Sequence, residues 1–401
     1  MTPDAASQIE HFNAGRDPER LQLKLAAMRA SPFAFLRGSC HLFYAGMARG
    51  GVHKTAPQGW ICGDLHFENF GSYLGDNGLA YFDINDFDES ALAPLTWDLV
   101  RFLASVEVGA KALQVGEAKA RRLCAAFVEA YADALALGKP YWVERDTATG
   151  LVRDLMSDLR CRDHASFIAK RTHVKGRHRV LTTDGDKALP ASDKQRARVE
   201  TFLQGFAKTD PDRRLHGVLD VARRIAGTGS LGVERYVILM RGDRSAERHQ
   251  LLDLKVSSAS SLAPRLKIAQ PRFVSHAARI VATQRRLQAV PMDYLHAVRF
   301  AGRPAVLRGL QPSEDRVDLD RAGGDMKSLM PLVATMGRIV AWAHLRSAGQ
   351  AGAAGPDELI AFAQRTTWRQ PLLEAAAECA AQVRADAAAY AANWDGGAFG
   401  R

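Results

Sequence analysis

The chain has 401 residues, 47% hydrophobic and 24% charged, with 54 basic against 44 acidic side chains and a formal net charge of +10. This is the composition of a globular chain long enough for two or three lobes around one cleft. No apolar run is long enough to span a bilayer, so membrane partners are not expected. Five scattered cysteines without a CxxC pair imply neither a disulfide framework nor a zinc site. The first twenty residues lack the apolar core of a signal peptide, and the expected compartment is the cytoplasm. A positive surface can attract nucleic acid, anionic lipid or phosphorylated ligands, or simply be a solvated face. The densest basic run, residues 170–179, has no interleaved aromatics on which bases could stack, so nucleic acid is not an expected partner.

In chain order, residues 21–48 read as helical material interrupted at Ser31-Pro32, a pair that caps one helix and starts another. Residues 59–70 run from a short apolar stretch into a polar loop. Asp76-Asn77-Gly78 is a turn signal, and residues 79–87 alternate as a strand, so this region is expected to form a hairpin. Residues 97–111 and 117–138 have a helical apolar period. Residues 163–194 are polar and basic, loop with some strand. From 218 to 310 the texture turns to strands, near 232–240, 251–256, 295–300 and 305–310, with one helix over 272–289. Residues 326–348 and 356–394 are helical again. The order predicts an α+β protein in which a small antiparallel sheet lobe (216–312) is inserted between two parts of a helical lobe (1–215 and 313–401).

The most informative stretch is GDLHFENFGSYLGDNGLAYFDINDFDES, residues 63–90, which gathers Asp64, Glu68, Asp83, Asp86, Asp88 and Glu89 with His66, Asn69 and Asn85. Carboxylates this dense repel one another unless solvated or bound by cations, and their oxygens suit Mg²⁺ or Mn²⁺. A run of surface turns would account for Asp76-Asn77-Gly78, but not for acids flanked by Phe82, Ile84 and Phe87. The spacing from Asp64 to Asn69 is that of a phosphoryl-transfer loop, in which the Asp accepts the substrate proton and the Asn holds a metal. Asp83 and Asp86 compete for the second metal-binding role, with Asp86 preferred because strand ends face clefts. His66, Asp88 and Asp98 are expected in supporting positions.

Residues 227–232, Gly227-Thr228-Gly229-Ser230-Leu231-Gly232, form a GxGxxG that precedes a strand rather than a helix, which favours a nucleotide-covering hairpin over a dinucleotide fold. Residues 241–243 are the expected turn of that hairpin. Its second strand ends its apolar run on Lys255, the candidate for the lysine that contacts phosphates. Arg37, Arg308 and His344 stand in apolar settings and are expected to be packed and paired.

Gly63-Asp64-Leu65-His66 with Asn69 resembles the catalytic loop of aminoglycoside phosphotransferases. The wider set of motifs, including residues 31–38, 63–71, 82–90, 94–101, 227–232, 252–255 and 343–347, resembles the bacterial family catalogued as domain of unknown function 2252. The resemblance implies a protein-kinase-like two-lobed fold, circularly permuted, because the catalytic loop precedes the glycine loop by about 150 residues. It implies a phosphotransferase using Mg-ATP on an unknown acceptor hydroxyl. Asp64 would be the base, Asn69 and Asp86 or Asp83 would hold the metal, and Lys255 and the glycine loop would hold the phosphates. Protein nucleotidylation with an inverted nucleotide, a nucleotide-binding pseudokinase and a metal-dependent hydrolase are the alternatives. The helix over 272–289 contains no acid to pair with Lys255, so Gln284 or Gln288 is expected to position it.

Overall fold

The computed structural model describes residues 5–47, 53–209, 217–242, 249–311 and 315–399. The expected lobe boundaries at 215/216 and 312/313, and Asp243 of the expected turn, lie outside them. The N-terminal third contains helices α1 (Ala5–Asn13), α2 (Pro18–Ala30), α3 (Pro32–Gly38) and α4 (Cys40–Met47), then strands β1 (Gln58–Ile61), β2 (Phe70–Leu74), β3 (Ala80–Ile84) and β4 (Ala91–Pro94), and helices α5 (Thr96–Val108) and α6 (Glu117–Ala136). Ser31 caps α3, its Oγ accepting from the Ala34 amide, and Pro32 fills the first helical position where no amide donor is needed. The hairpin expected from Asp76-Asn77-Gly78 is β2–β3, with Ser72 opposite Phe82. Residues 58–61 pair instead with β4, Trp60 opposite Leu92.

The middle of the chain supplies α7 (Gly150–Arg160), α8 (His164–Ala169), β5 (Thr172–Lys175), β6 (His178–Leu181), β7 (Ala188–Pro190) and α9 (Asp193–Ala207). It continues with β8 (Val218–Arg224), β9 (Arg235–Met240), β10 (Gln250–Val256), α10 (His276–Leu287), β11 (His296–Phe300) and β12 (Arg303–Gly309). Six of these strands form one antiparallel sheet in the order β11-β12-β10-β9-β8-β7. The period-2 alternation of β10 divides its two faces. Leu252, Leu254 and Val256 pack with Val199 and Leu203 of α9, while Asp253 and Lys255 point to the other side. The sheet lobe therefore takes in α8 to α9, well before residue 216. The polar composition of 163–194 hid this, because those elements bury only one face each.

Helices α11 (Met326–Ser347), α12 (Pro356–Gln364) and α13 (Arg369–Asp395) return to the N-terminal part and share one continuous core with α5 and α6. The fold is thus mixed α+β, with the sheet built from the middle of the chain and the helices from both ends. Among the described residues no helix is long and apolar enough to cross a membrane.

Candidate functional site

Asp64 sits in a tight turn between β1 and β2. Gly63 (φ 68°) and Asp64 (φ 49°) both occupy left-handed backbone, and a Cβ on Gly63 would stand 2.4 Å from the Glu89 carbonyl oxygen. The turn is held from below by Asp98, in the first turn of α5, whose carboxylate accepts the amides of Cys62 (2.9 Å) and Gly63 (3.0 Å). One turn along the same helix, the fully buried Arg101 donates to Asp64 Oδ1 from Nε (3.0 Å) and Nη2 (2.5 Å), and also to the Leu36 carbonyl (2.7 Å). Burial pushes the Asp64 carboxyl above its ordinary range, with Arg101 opposing the shift. Asn69 ends a short helical turn (Phe67–Asn69), and its Nδ2 donates to the Asp64 carbonyl (2.8 Å). That fixes the amide plane and leaves Oδ1 as an acceptor.

The two competing aspartates part company. β3 ends at Ile84 rather than at 87. Asp83, still within the strand, is buried against Arg346 (3.2 Å) and the Ala289 amide (3.2 Å) and is not brought to the cleft. Asp86, just beyond the strand end, lines the cleft beside Asp64 and Asn69. Asp88 is ion-paired with Lys255 of β10. Burial pushes the Asp88 carboxyl up, but Lys255 outweighs it and the carboxyl is held below its usual range. The expected glutamine partners of Lys255 are elsewhere: Gln284 donates to Gln288, which donates to the Ile84 carbonyl. The acid that pairs the lysine comes from the carboxylate cluster, over 160 residues earlier in the chain, and not from the following helix.

The glycine loop spans the gap between β8 and β9 and contains one short helical turn, Thr228–Ser230. A Cβ on Gly229 would stand 2.9 Å from the Arg37 carbonyl and 3.9 Å from Asp64 Oδ2, so the loop lies directly over the Asp64 turn. Gly227, Thr228, Gly229, Ser230 and Gly232 line the cleft; Leu231 turns its side chain into the interior and does not. Together with Asp64, His66, Asn69, Asp86, Asp88 and Lys255 these residues enclose a cavity of about 430 Å³. His66 is buried, edge-on to Phe33, and burial and Arg37 hold its imidazole well below the ordinary pKa, hence neutral. Among the described residues, no three His, Cys, Asp or Glu side chains are placed to share one metal ion.

The family described as "Uncharacterized protein conserved in bacteria (DUF2252)" matches residues 16–393. The chain belongs to this family. No curated protein and no solved structure matches it. The region that this DUF2252 chain shares with its family contains every cleft residue except Phe12, Ala14 and Gly15.

Sequence reasoning missed three contributors to the site. Arg101 had a signal, as the one basic residue of a helix that is buried throughout except at Glu107. Arg16 had none: it reaches back from the α1–α2 link to the carbonyls of Gly229 (2.8 Å) and Leu231 (2.9 Å), and burial lowers its pKa to about 10. Glu89, in the cluster but given no role, accepts from the Ser261 amide (2.5 Å) and hydroxyl (3.0 Å) at the cleft wall. Arg37, Arg308 and His344 are packed and paired, with Glu68 (2.6 Å), Asp253 (3.5 Å) and Tyr131 (3.0 Å) respectively.

Proposed function

We propose that this protein is a magnesium- and nucleotide-dependent phosphotransferase that moves a phosphorus group from ATP to an acceptor hydroxyl, on a kinase-like fold permuted along the chain. The observation that carries the reading is the convergence of two distant segments. Asp64, Asn69 and Asp86 meet the glycine loop and Lys255 around one cavity, and Asp88 reaches across to pair the lysine. A transferase site needs these groups together in space and not in any chain order.

In the proposed step the acceptor oxygen bonds to phosphorus, the bond from that phosphorus to the leaving phosphate oxygen breaks, and the hydroxyl proton passes to Asp64. Arg101 fixes the orientation of that carboxylate, and burial raises its basicity. The donor set fits Mg²⁺ (or Mn²⁺). Asp86 and the Oδ1 of Asn69 are two oxygens at the cleft wall, and such ions are held by one or two protein oxygens completed by phosphate and water. Bound there, the cation would neutralise charge on the phosphates. Lys255 and the backbone of the glycine loop would contact the phosphates at the cleft wall.

The partner that the sequence could not find for Lys255 is Asp88, and an acid-paired lysine supports turnover over a nucleotide binder without it. A hydrolase resting on the acidic cluster alone lacks a shared set of three carboxylate or imidazole ligands among the described residues. Calorimetric titration with ATP, with and without Mg²⁺, tests the reading. Wild type is expected to bind in an Mg²⁺-dependent manner, and Lys255→Ala and Asp86→Ala to weaken binding by about tenfold or more. Wild type that binds no nucleotide would overturn it.

A further inference from the structure

A second cavity, of about 220 Å³, lies on the far side of the glycine loop and meets the first at Asp86, Gly227, Ser230 and Arg316. The two differ sharply in charge. Among the described residues, the main cleft is lined by six basic and six acidic side chains. Among the described residues, the second cavity is lined by seven basic side chains, including Lys170, Arg224, Arg235, Arg308 and Arg316, against Asp86 and Asp184. Its floor is the polar face of the sheet. There Arg224 (2.8 Å), Arg235 (2.5 Å) and Arg308 (3.5 Å) share the single carboxylate of the fully buried Asp253. Three guanidinium groups share one carboxylate in a partly desolvated place, with Asp86 and Asp88 the further acids near them, and burial pulls the Arg224 pKa down to about 9. Planar guanidinium forks are the side chains best shaped for phosphate oxygens. The main cleft, balanced in charge and bordered by Phe12, Val233 and Ala259, is the better place for a nucleoside.

We infer that the nucleotide lies inverted, its β- and γ-phosphates in the arginine-lined cavity and its nucleoside in the main cleft, so that the group transferred is nucleotidyl. This rests on the function proposed above and specifies it. With the α-phosphorus at the junction beside Asp86, the acceptor oxygen bonds to Pα, the bond between Pα and the bridging oxygen to Pβ breaks, the proton passes to Asp64, and pyrophosphate leaves through the basic cavity.

The test is calorimetric titration of wild type, Arg308→Gln and Lys170→Gln with MgATP and with AMP. Arg308→Gln leaves Asp253 two arginines, and Lys170 is exposed, so at least the second variant folds. MgATP affinity is expected to fall by about tenfold in Arg308→Gln and about twofold in Lys170→Gln, while AMP affinity stays at the wild-type value. MgATP affinity unchanged in both variants, or MgATP and AMP weakened alike, would overturn the inversion and leave the nucleotide site standing. Failure of wild type to bind MgATP would overturn both readings. Release of pyrophosphate from MgATP supports nucleotidyl transfer, and release of ADP overturns it.

Discussion

Glu89 shows how one residue couples the site to the stability of the molecule. Its carboxyl is pushed up to about 7, chiefly by burial, against the help of Ser261 and with Asp64 and Asp88 close by. An unfolded glutamate titrates near 4.5. Between those values the folded protein holds a proton that the unfolded chain has released. The contribution to stability is therefore complete below pH 4.5 and is lost as pH rises through 7. Glu89→Gln keeps the acceptor for Ser261 and cannot ionise. Urea denaturation should find it close to wild type at pH 4 and more stable than wild type by about 3 kcal/mol at pH 8. An equal difference at both pH values would show that Glu89 ionises freely in the folded state. At this scale the sequence was most informative around residues 63–90. Asp64 and Asn69 were legible from their spacing, and Asp86 was preferred over Asp83 from the end of its strand. The partner of Lys255 was not legible, since an ion pair between residues 88 and 255 leaves no local pattern.

Among elements, α6 and α11 cross at close range in the helical core. Gly337 of α11 faces the Phe127 carbonyl, and a Cβ there would stand 2.5 Å from that oxygen. Alanine at an interior helical position is favoured over glycine by about 1 kcal/mol. Overpacking against backbone that cannot rotate away costs about 1–3 kcal/mol and should win. Gly337→Ala is expected to lose about 1–2 kcal/mol in urea denaturation; a gain would mean that the two helices can separate at no cost. Most elements followed from periodicity, because α6, α10 and α11 each bury an apolar face of helical period. The limits were blurred where tertiary pairing sets the end, as at β3, which stops at Ile84 where its hydrogen bonds to β2 stop. The α8 to α9 stretch escaped because its short elements take their burial from the sheet rather than from one another.

For the molecule as a whole, the N-terminal helices clamp the glycine loop. Asp17 donates its amide to the Gly232 carbonyl (2.8 Å), Arg16 binds two loop carbonyls, and the buried Lys24 donates to the Gly229 carbonyl (3.1 Å). The loop is thus held by chain more than 200 residues before it. Arg16→Ala should raise the amide exchange of residues 228–232 by about tenfold, with exchange in α6 and α11 unchanged. Equal protection of the loop in the variant would show that the clamp is not what orders it.

The sequence by itself determined the α+β class, the insertion of a sheet between helical segments, the family, and the three motifs from which a site could be assembled. Those are local or periodic properties, written in neighbouring residues. The tertiary structure decided what the motifs face. It turned Asp83 inward to Arg346, gave Lys255 its partner in Asp88, placed Arg101 behind the cleft and Arg16 in its wall, and gathered Arg224, Arg235 and Arg308 from three strands onto Asp253. Ion pairs between strands and helices depend on register and on which faces are buried together. Distance along the chain carries no trace of either, so these contacts become readable only once the sheet has formed and the helices have closed over it.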